Sequence, residues 1–331
     1  MTNHSKWAAL LLAVALSACA GGKKAAVTPA NLFVPSSNPP GYELLLTQPA
    51  ITGGQLATEV DFNGFPLPGS LRGFTPFVYP AALAVRNRDM YVVDSGARKL
   101  YRLDLMTQIL SVVPSGVAYP WTRVQVGADR SLYVLDQNSA VIRRYVPMQA
   151  MQTIGDPAIT GSLEGFVVDT PDGRIVASDK LNKRLIKFNP MGGLGWPMPS
   201  PAGSQFTALG MLASAGERSL YAIENSCACV AVLNDAGQVS EHIGRGILLQ
   251  PQALAVDRTG HLFVADAADR TLKVFAQGKL LAQYTAQALR VSTISALAVD
   301  ENMLYIADGA GSRVQVFRIQ PQTVVGSEAG R

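Results

Sequence analysis

Six acidic residues recur along the chain at nearly equal distances. Asp94, Asp136, Asp179, Glu224, Asp266 and Asp308 are separated by 42, 43, 45, 42 and 42 residues. Carboxylates serve as general acids and bases and as ligands for hard cations, so the set could perform chemistry if it converged. Each acid, however, occupies the same place in its own segment, as in FVADAADRTLKVF (263–275) and YIADGAGSRVQVF (305–317). An aromatic residue or Leu lies nine positions further on in every copy: Leu103, Tyr145, Phe188, Leu233, Phe275 and Phe317. A residue needed once per segment is architectural rather than catalytic. At a strand end it can accept backbone N–H groups and fix a tight turn.

Residues that differ between the copies are better candidates. Cys227 and Cys229 are an i, i+2 pair. On a regular strand their Cα atoms would lie about 7 Å apart, at the edge of what a disulfide tolerates. Either a local disulfide in a distorted strand or a pair of free thiols fits this spacing. A metal site would need His or further Cys nearby, and only His242 is close in sequence. No metal or other cofactor is expected. His4 falls in the N-terminal leader, and His242 and His261 belong to different segments, which argues against His-based catalysis. Neither a Gly-x-Ser-x-Gly elbow nor a phosphate-binding loop occurs.

The elements that position these residues follow from the repeat. An apolar strand precedes each acid-bearing segment: ALAV (82–85), RVQV (123–126), GFVV (165–168), ALGM (208–211), ALAV (253–256) and ALAV (296–299). A further strand follows, such as ILSVV (109–113) or LLAQY (280–284). Turn residues separate them, as at Asp172-Gly173 and Thr259-Gly260. Each unit is therefore four short strands in about 42 residues, the signature of a β-propeller blade. The expected fold is all-β, a six-bladed propeller. A β-helix has shorter repeats, and a sandwich has no reason for this period. The last blade lacks an obvious fourth strand, and YELLLT (42–47) is expected to supply it. Residues 50–79 show no period.

In propellers the mouth of the central channel is the usual place for function. Counting back along each first strand gives a ring of Ala81, Thr122, Glu164, Thr207, Gln252 and Ser295. This ring is small and polar, with Glu164 its single acid. Trp121, after Tyr119-Pro120, is either a binding anchor or a packing residue.

These residues resemble the NHL-repeat propeller family. The fifth blade matches through Pro251, Leu254, Val256, Asp257, Gly260, Phe263, Val264, Asp266, Asp269, Val274 and Phe275. The sixth matches through Leu297, Asp300, Tyr305, Asp308, Arg313 and Phe317, while the fourth departs most, with Glu224 for Asp. The resemblance spans about residues 80–319. It implies the architecture but no one activity, because propellers host unrelated functions. Within it, LEGFVVDTPDGRIVASD (163–179) resembles the Glu-bearing strand of gluconolactonase-like propellers, where the Glu is a metal ligand. Phe166 stands where that family has Pro, and no Pro-Asn-Gly motif accompanies it.

The N-terminus carries a separate signal. Met1–Lys6 is basic, Trp7–Leu16 is apolar, and Leu16-Ser17-Ala18-Cys19 follows. The run is too short to span a bilayer and reads as a secretory leader. Its end resembles the lipobox of bacterial lipoproteins, which implies that residues 1–18 are removed and Cys19 is lipidated. Ala20, rather than Asp, next to that Cys implies the outer membrane by the enteric sorting rule. Residues 19–41, rich in Gly, Lys, Pro, Ser and Asn, read as a tether. The propeller is expected over 42–320 and a tail over 321–331. Losing the leader removes one Lys from a net charge of +4. That mild balance gives no case for a polyanion, and no nucleic acid is expected as partner. Basic residues such as Arg143/Arg144 and Lys183/Arg184 on the third strands read as a solvated face. The sequence thus points to a membrane-anchored periplasmic binding or scaffolding propeller that engages an envelope protein or ligand. The alternative is a metal-dependent lactonase-like hydrolase working near Glu164.

Overall fold

The computed structural model describes residues 32–33, 42–47, 49–61, 66–67, 69–113, 119–146, 149–168, 174–189, 196–197, 206–214, 219–234 and 237–321. The expected leader (1–18), all of the expected tether but 32–33, and the tail beyond Pro321 lie outside the described residues.

Six antiparallel four-stranded meanders follow one another along the chain. Blade one comprises Pro80–Arg86, Asp89–Asp94, Lys99–Asp104 and Ile109–Val112. Blade two comprises Trp121–Val126, Leu132–Asp136, Val141–Tyr145 and Gln152–Ile154, and blade three Leu163–Val167, Ile175–Asp179, Arg184–Phe188 and Trp196–Pro197. Blade four is built from Leu209–Ser214, Leu220–Glu224, Cys229–Leu233 and Val239–Ile243. Blade five runs through Pro251–Val256, Leu262–Asp266, Thr271–Ala276 and Lys279–Thr285. Blade six combines Ala296–Asp300, Met303–Asp308 and Arg313–Pro321 with Tyr42–Leu46 from the other end of the chain. The first strands of successive blades adjoin one another, and those of blades six and one meet, so the ring is closed.

Blade packing explains the sequence pattern. The second strand of each blade is covered on both faces by its neighbours, and Leu132–Asp136, Ile175–Asp179, Leu220–Glu224 and Leu262–Asp266 are buried at every position. Such strands read as continuous apolar runs rather than alternating ones. The side chains nine residues after the acids fill the same layers: Leu103, Phe188, Leu233, Phe275 and Phe317 are at most 1% exposed. Four residues after each acid the backbone turns left-handed, at Arg98, Ala140, Lys183, Ala228, Arg270 and Ser312, with φ between 46° and 54°. The repeat therefore fixes backbone conformation as well as burial.

The aperiodic stretch 50–79 adds two strands outside blade one. Gly53–Ala57 runs parallel to Ile109–Val112 and pairs antiparallel with Leu71–Pro76. Gly53 has a φ of 149°, and a Cβ there would lie 2.1 Å from the carbonyl oxygen of Thr75. Only glycine permits that approach. Leu32–Phe33 similarly extends blade six beyond Tyr42–Leu46.

Candidate functional site

The six acids lie at the ends of the second strands, on the channel face where the first strands begin. All are at most 3% exposed. Each ties the loop that leads into its blade, the following turn, or both. Asp94 accepts from the amides of Val78, Tyr79 and Ala97 at 2.7, 2.9 and 3.0 Å. Asp266 accepts from Leu249 and Gln250 at 2.8 and 2.9 Å, and Asp308 from Ser292 and Thr293 at 2.9 Å each. Asp179 accepts from the amides of Gly161, Ser162 and Asn182, whereas Asp136, among the described residues, accepts from the Ser139 amide. Glu224 uses one oxygen, Oε1, for the amides of Thr207 and Ala208 and the hydroxyls of Thr207 and Ser226. The third strand adds a cation in four blades: Arg143 to Asp136, Arg184 to Asp179, Lys273 to Asp266 and Arg313 to Asp308. These carboxylates are separately bound, one per blade.

The channel mouth is shaped by β-bulges. In five blades the register between first and second strands slips directly after the acid's partner, leaving one extra residue. A bulge re-aims side chains and bends the strand. Ala81, Glu164 and Gln252 are such bulge residues and line the mouth cavity of about 560 Å³ with Ser295. Two members of the expected ring are corrected. In blade four the bulge falls at Gly210–Met211, so Gly210 lines the mouth, and Thr207 lies before the strand, hydrogen-bonded to Glu224. A Cβ on Gly210 would meet Ile223 at 3.1 Å, which explains the small residue. In blade two Arg123, not Thr122, lines the cavity.

Glu164 is the mouth carboxylate not engaged in a turn. It faces Arg123 at 3.6 Å and Lys180 at 3.7 Å. Burial pulls the Arg123 guanidinium below its ordinary value, and Glu164 opposes that shift. Arg123 also donates to the carbonyl of Thr122 at 2.8 Å, while its Nε is buried without a partner. Gln252 donates across to Ile294 O at 2.6 Å, linking blades five and six. Trp121 is 7% exposed, stacks edge-on against Tyr119 at 5.9 Å and packs between blades one and two. That burial makes it a core residue rather than an anchor open to solvent.

Around the mouth the same face exposes large apolar side chains. Val78 is 51% exposed, Leu181 68% and Leu249 60%, with Tyr79 and Ile247 also open. Each belongs to a turn or loop next to one of the buried acids. The opposite mouth is a smaller cavity of about 410 Å³, rimmed by Arg86, Asp257, Arg258, Asp300 and Glu301. Burial and then Glu301 hold the Asp300 carboxyl above its ordinary value. Asp257 is also raised by burial, but hydrogen bonds from His261 and Thr259 outweigh this and leave it lowered.

Cys227 and Cys229 form a disulfide, with Cα atoms 5.2 Å apart. The span is shorter than an extended strand allows because Cys227 sits in the turn and Ala228 between them has a φ of 46°. His242, on the fourth strand opposite Ala231, approaches both sulfurs. Burial, followed by Arg245, depresses its imidazole.

The comparisons with known proteins show the fold. No family model matches the sequence, and no curated protein matches it. Among solved structures, a Bacteroides thetaiotaomicron protein of unknown function is similar with a TM-score of 0.60 at 14% identity, over 86% of this chain and 83% of that one. A gluconolactonase from Xanthomonas campestris gives 0.57 at 16% identity, over 89% of this chain and 99% of that one. A Staphylococcus aureus virginiamycin B lyase gives 0.52 at 12% identity, over 75% and 85%.

Proposed function

We propose that this chain is a lipid-anchored propeller of a bacterial envelope that binds a protein partner through its channel-mouth face. The observation that carries this reading is the exposure of Val78, Leu181 and Leu249 around a mouth whose carboxylate outside the turns, Glu164, is ion-paired. Several large exposed apolar side chains on one face are a candidate interaction surface. The motifs of blades five and six support an NHL-type assignment of the blades. The lipobox at Leu16–Cys19 supports attachment to the outer membrane, with the disc facing the periplasm.

A second reading, a lactonase-like hydrolase, has the fold similarity to the gluconolactonase in its favour. Glu164 would have to be a metal ligand in that case. The donor set does not fit: a divalent cation at Glu164 would lie beside the Arg123 guanidinium and the Lys180 ammonium. Among the described residues, the lining brings no imidazole and no second carboxylate free of a turn.

Photo-crosslinking residues placed at 181 and at 249 in the full chain in living cells test the binding reading. Both positions are expected to yield the same adduct, and Leu181→Asp with Leu249→Asp should abolish capture from Tyr79. Position 106, 74% exposed in a turn at the other end of blade one, should yield none. Equal capture from position 106 would overturn the assignment of the face. Lactone hydrolysis that needs added Ca²⁺ and is lost in Glu164→Ala would overturn the binding reading itself.

A further inference from the structure

Blade four lacks a partner that its two neighbours have; blade one lacks it too, but there both oxygens of Asp94 accept backbone amides. In blades two, three, five and six the buried acid receives an Arg or Lys from the third strand, at 3.1, 3.3, 2.7 and 3.0 Å. The third strand of blade four is CVAVL (229–233) and offers no cation. Glu224 keeps one oxygen, Oε2, buried and without a hydrogen-bond partner among the described residues, in a residue 3% exposed. A buried carboxylate oxygen left unpaired is costly, so such a group calls for an explanation.

What stands in place of the missing cation is a set of soft ligands. Cys229 lies directly opposite Glu224 in the register. His242 pairs with Ala231, two residues beyond Cys229, so it shares that face of the sheet diagonally. Cys227 reaches back from the left-handed turn. One ligand atom from each of Cys227, Cys229 and His242 lies within 4.8 Å of the others. Ligand atoms around tetrahedral Zn²⁺ sit roughly 3.5–3.8 Å apart, given the usual Zn–S and Zn–N distances. The three come from a turn, a third strand and a fourth strand, a convergence that the blade's hydrogen bonding enforces.

We propose that blade four holds a redox-gated site for a thiophilic divalent cation, with Cys227, Cys229 and His242 as ligands and Glu224 as the carboxylate beside them. The disulfide is the closed state. A dithiol or phosphine donor opens it: the Cys227–Cys229 bond takes up two electrons and two protons, and the donor is oxidised. Binding of Zn²⁺ then displaces the two thiol protons, because the thiolate is the ligand. The two thiolates balance the charge of the ion, which offers Glu224 a partner where Arg or Lys partners the acids of blades two, three, five and six. Sulfur and imidazole together select Zn²⁺ over Ca²⁺ or Mg²⁺.

The full chain in a Cys19→Ser background, reduced with a phosphine under nitrogen, is titrated with Zn²⁺ against a chromophoric chelator. One Zn²⁺ per chain is expected in the reduced protein and none in the disulfide form. His242→Ala and Cys227→Ser, both at half-buried positions, should each weaken binding about tenfold or more, and Glu224→Gln about 10- to 100-fold. Co²⁺ in place of Zn²⁺ should give a thiolate charge-transfer band that Cys227→Ser reduces, which reads the ligand directly. Circular dichroism on each variant separates lost ligation from lost folding. Zn²⁺ bound equally by the oxidised protein, absent from the reduced one, or unaffected by His242→Ala in a folded variant would overturn the proposal.

Discussion

Lys273 is 2% exposed, and its ammonium lies 2.7 Å from Asp266 and 2.5 Å from Asp269. A charge so placed is tolerated because it is paired and hydrogen-bonded. Removing it leaves Asp266 buried and short of its cation. Lys273→Met is therefore expected to cost about 3–5 kcal/mol in denaturant unfolding. The same change at Arg184 should cost less. Its side chain is 29% exposed, and Asp179 keeps the Ser162 and Asn182 amides and the Asn182 side chain. Burial raises the Asp266 and Asp179 carboxyls, but their hydrogen bonds, from Lys273 and from Asn182 foremost, outweigh it and hold both below the ordinary 3.8. The stability they contribute is thus fully present above the unfolded carboxyl range and lost as pH falls through the folded values. The urea midpoint should hold steady from pH 7 to about pH 5 and drop below about pH 4. Asp179→Asn should flatten that drop, and an unchanged slope in the variant would assign acid sensitivity elsewhere.

At the scale of the element, the fourth strand of blade six joins the two ends of the chain. Tyr42–Leu46 pairs with Phe317–Pro321, and its buried residues alternate: Tyr42 at 3% and Leu44 at 0% face the core. Leu44→Ala should cost about 2–5 kcal/mol by the cavity it leaves. Leu45→Ala, on the half-exposed face, should cost about 1 kcal/mol. Equal costs would mean that the strand's register differs from this one. The blades themselves were legible in the sequence because the 42-residue spacing of Asp94 to Asp308 repeats a whole structural unit. The strands Gly53–Ala57 and Leu71–Pro76 were not, since they belong to no repeat and pair outside blade one. The mouth ring was legible at Ala81, Glu164, Gln252 and Ser295 but not at Thr122 or Thr207. In blade four the bulge at Gly210–Met211 shifts the count, and a bulge leaves no periodic trace. For the Cys227–Cys229–His242 cluster the sequence offered His242 as the one imidazole near the Cys-Ala-Cys run, but only strand pairing shows that it reaches the sulfurs. One signal was present, the loss of a basic residue from the third strand of blade four alongside Glu224, and it acquires meaning once Arg143, Arg184, Lys273 and Arg313 are seen bound to their acids.

At the scale of the whole molecule, the ring separates two tasks. Burial of the acids and the aromatic layers holds the disc. The mouth face carries the open Val78, Leu181 and Leu249, the surface proposed to take the partner. No helix among the described residues is long and apolar enough to cross a membrane. In the proposed arrangement two contacts can therefore keep the protein at the envelope, the lipid on Cys19 and the partner on the mouth face. They are separable. Stable lipid attachment takes more than one acyl chain, and losing the acylated Cys removes all of them at once. Cys19→Ala should move most of the chain from the membrane fraction to the soluble envelope fraction. Any portion that stays should be held by the partner, and adding Leu181→Asp with Leu249→Asp should release it. Leu181→Asp with Leu249→Asp alone, with Cys19 intact, should stay with the membrane. Full retention of the triple variant would show that neither contact is the anchor, and release by the rim substitutions alone would show that the lipid is not one.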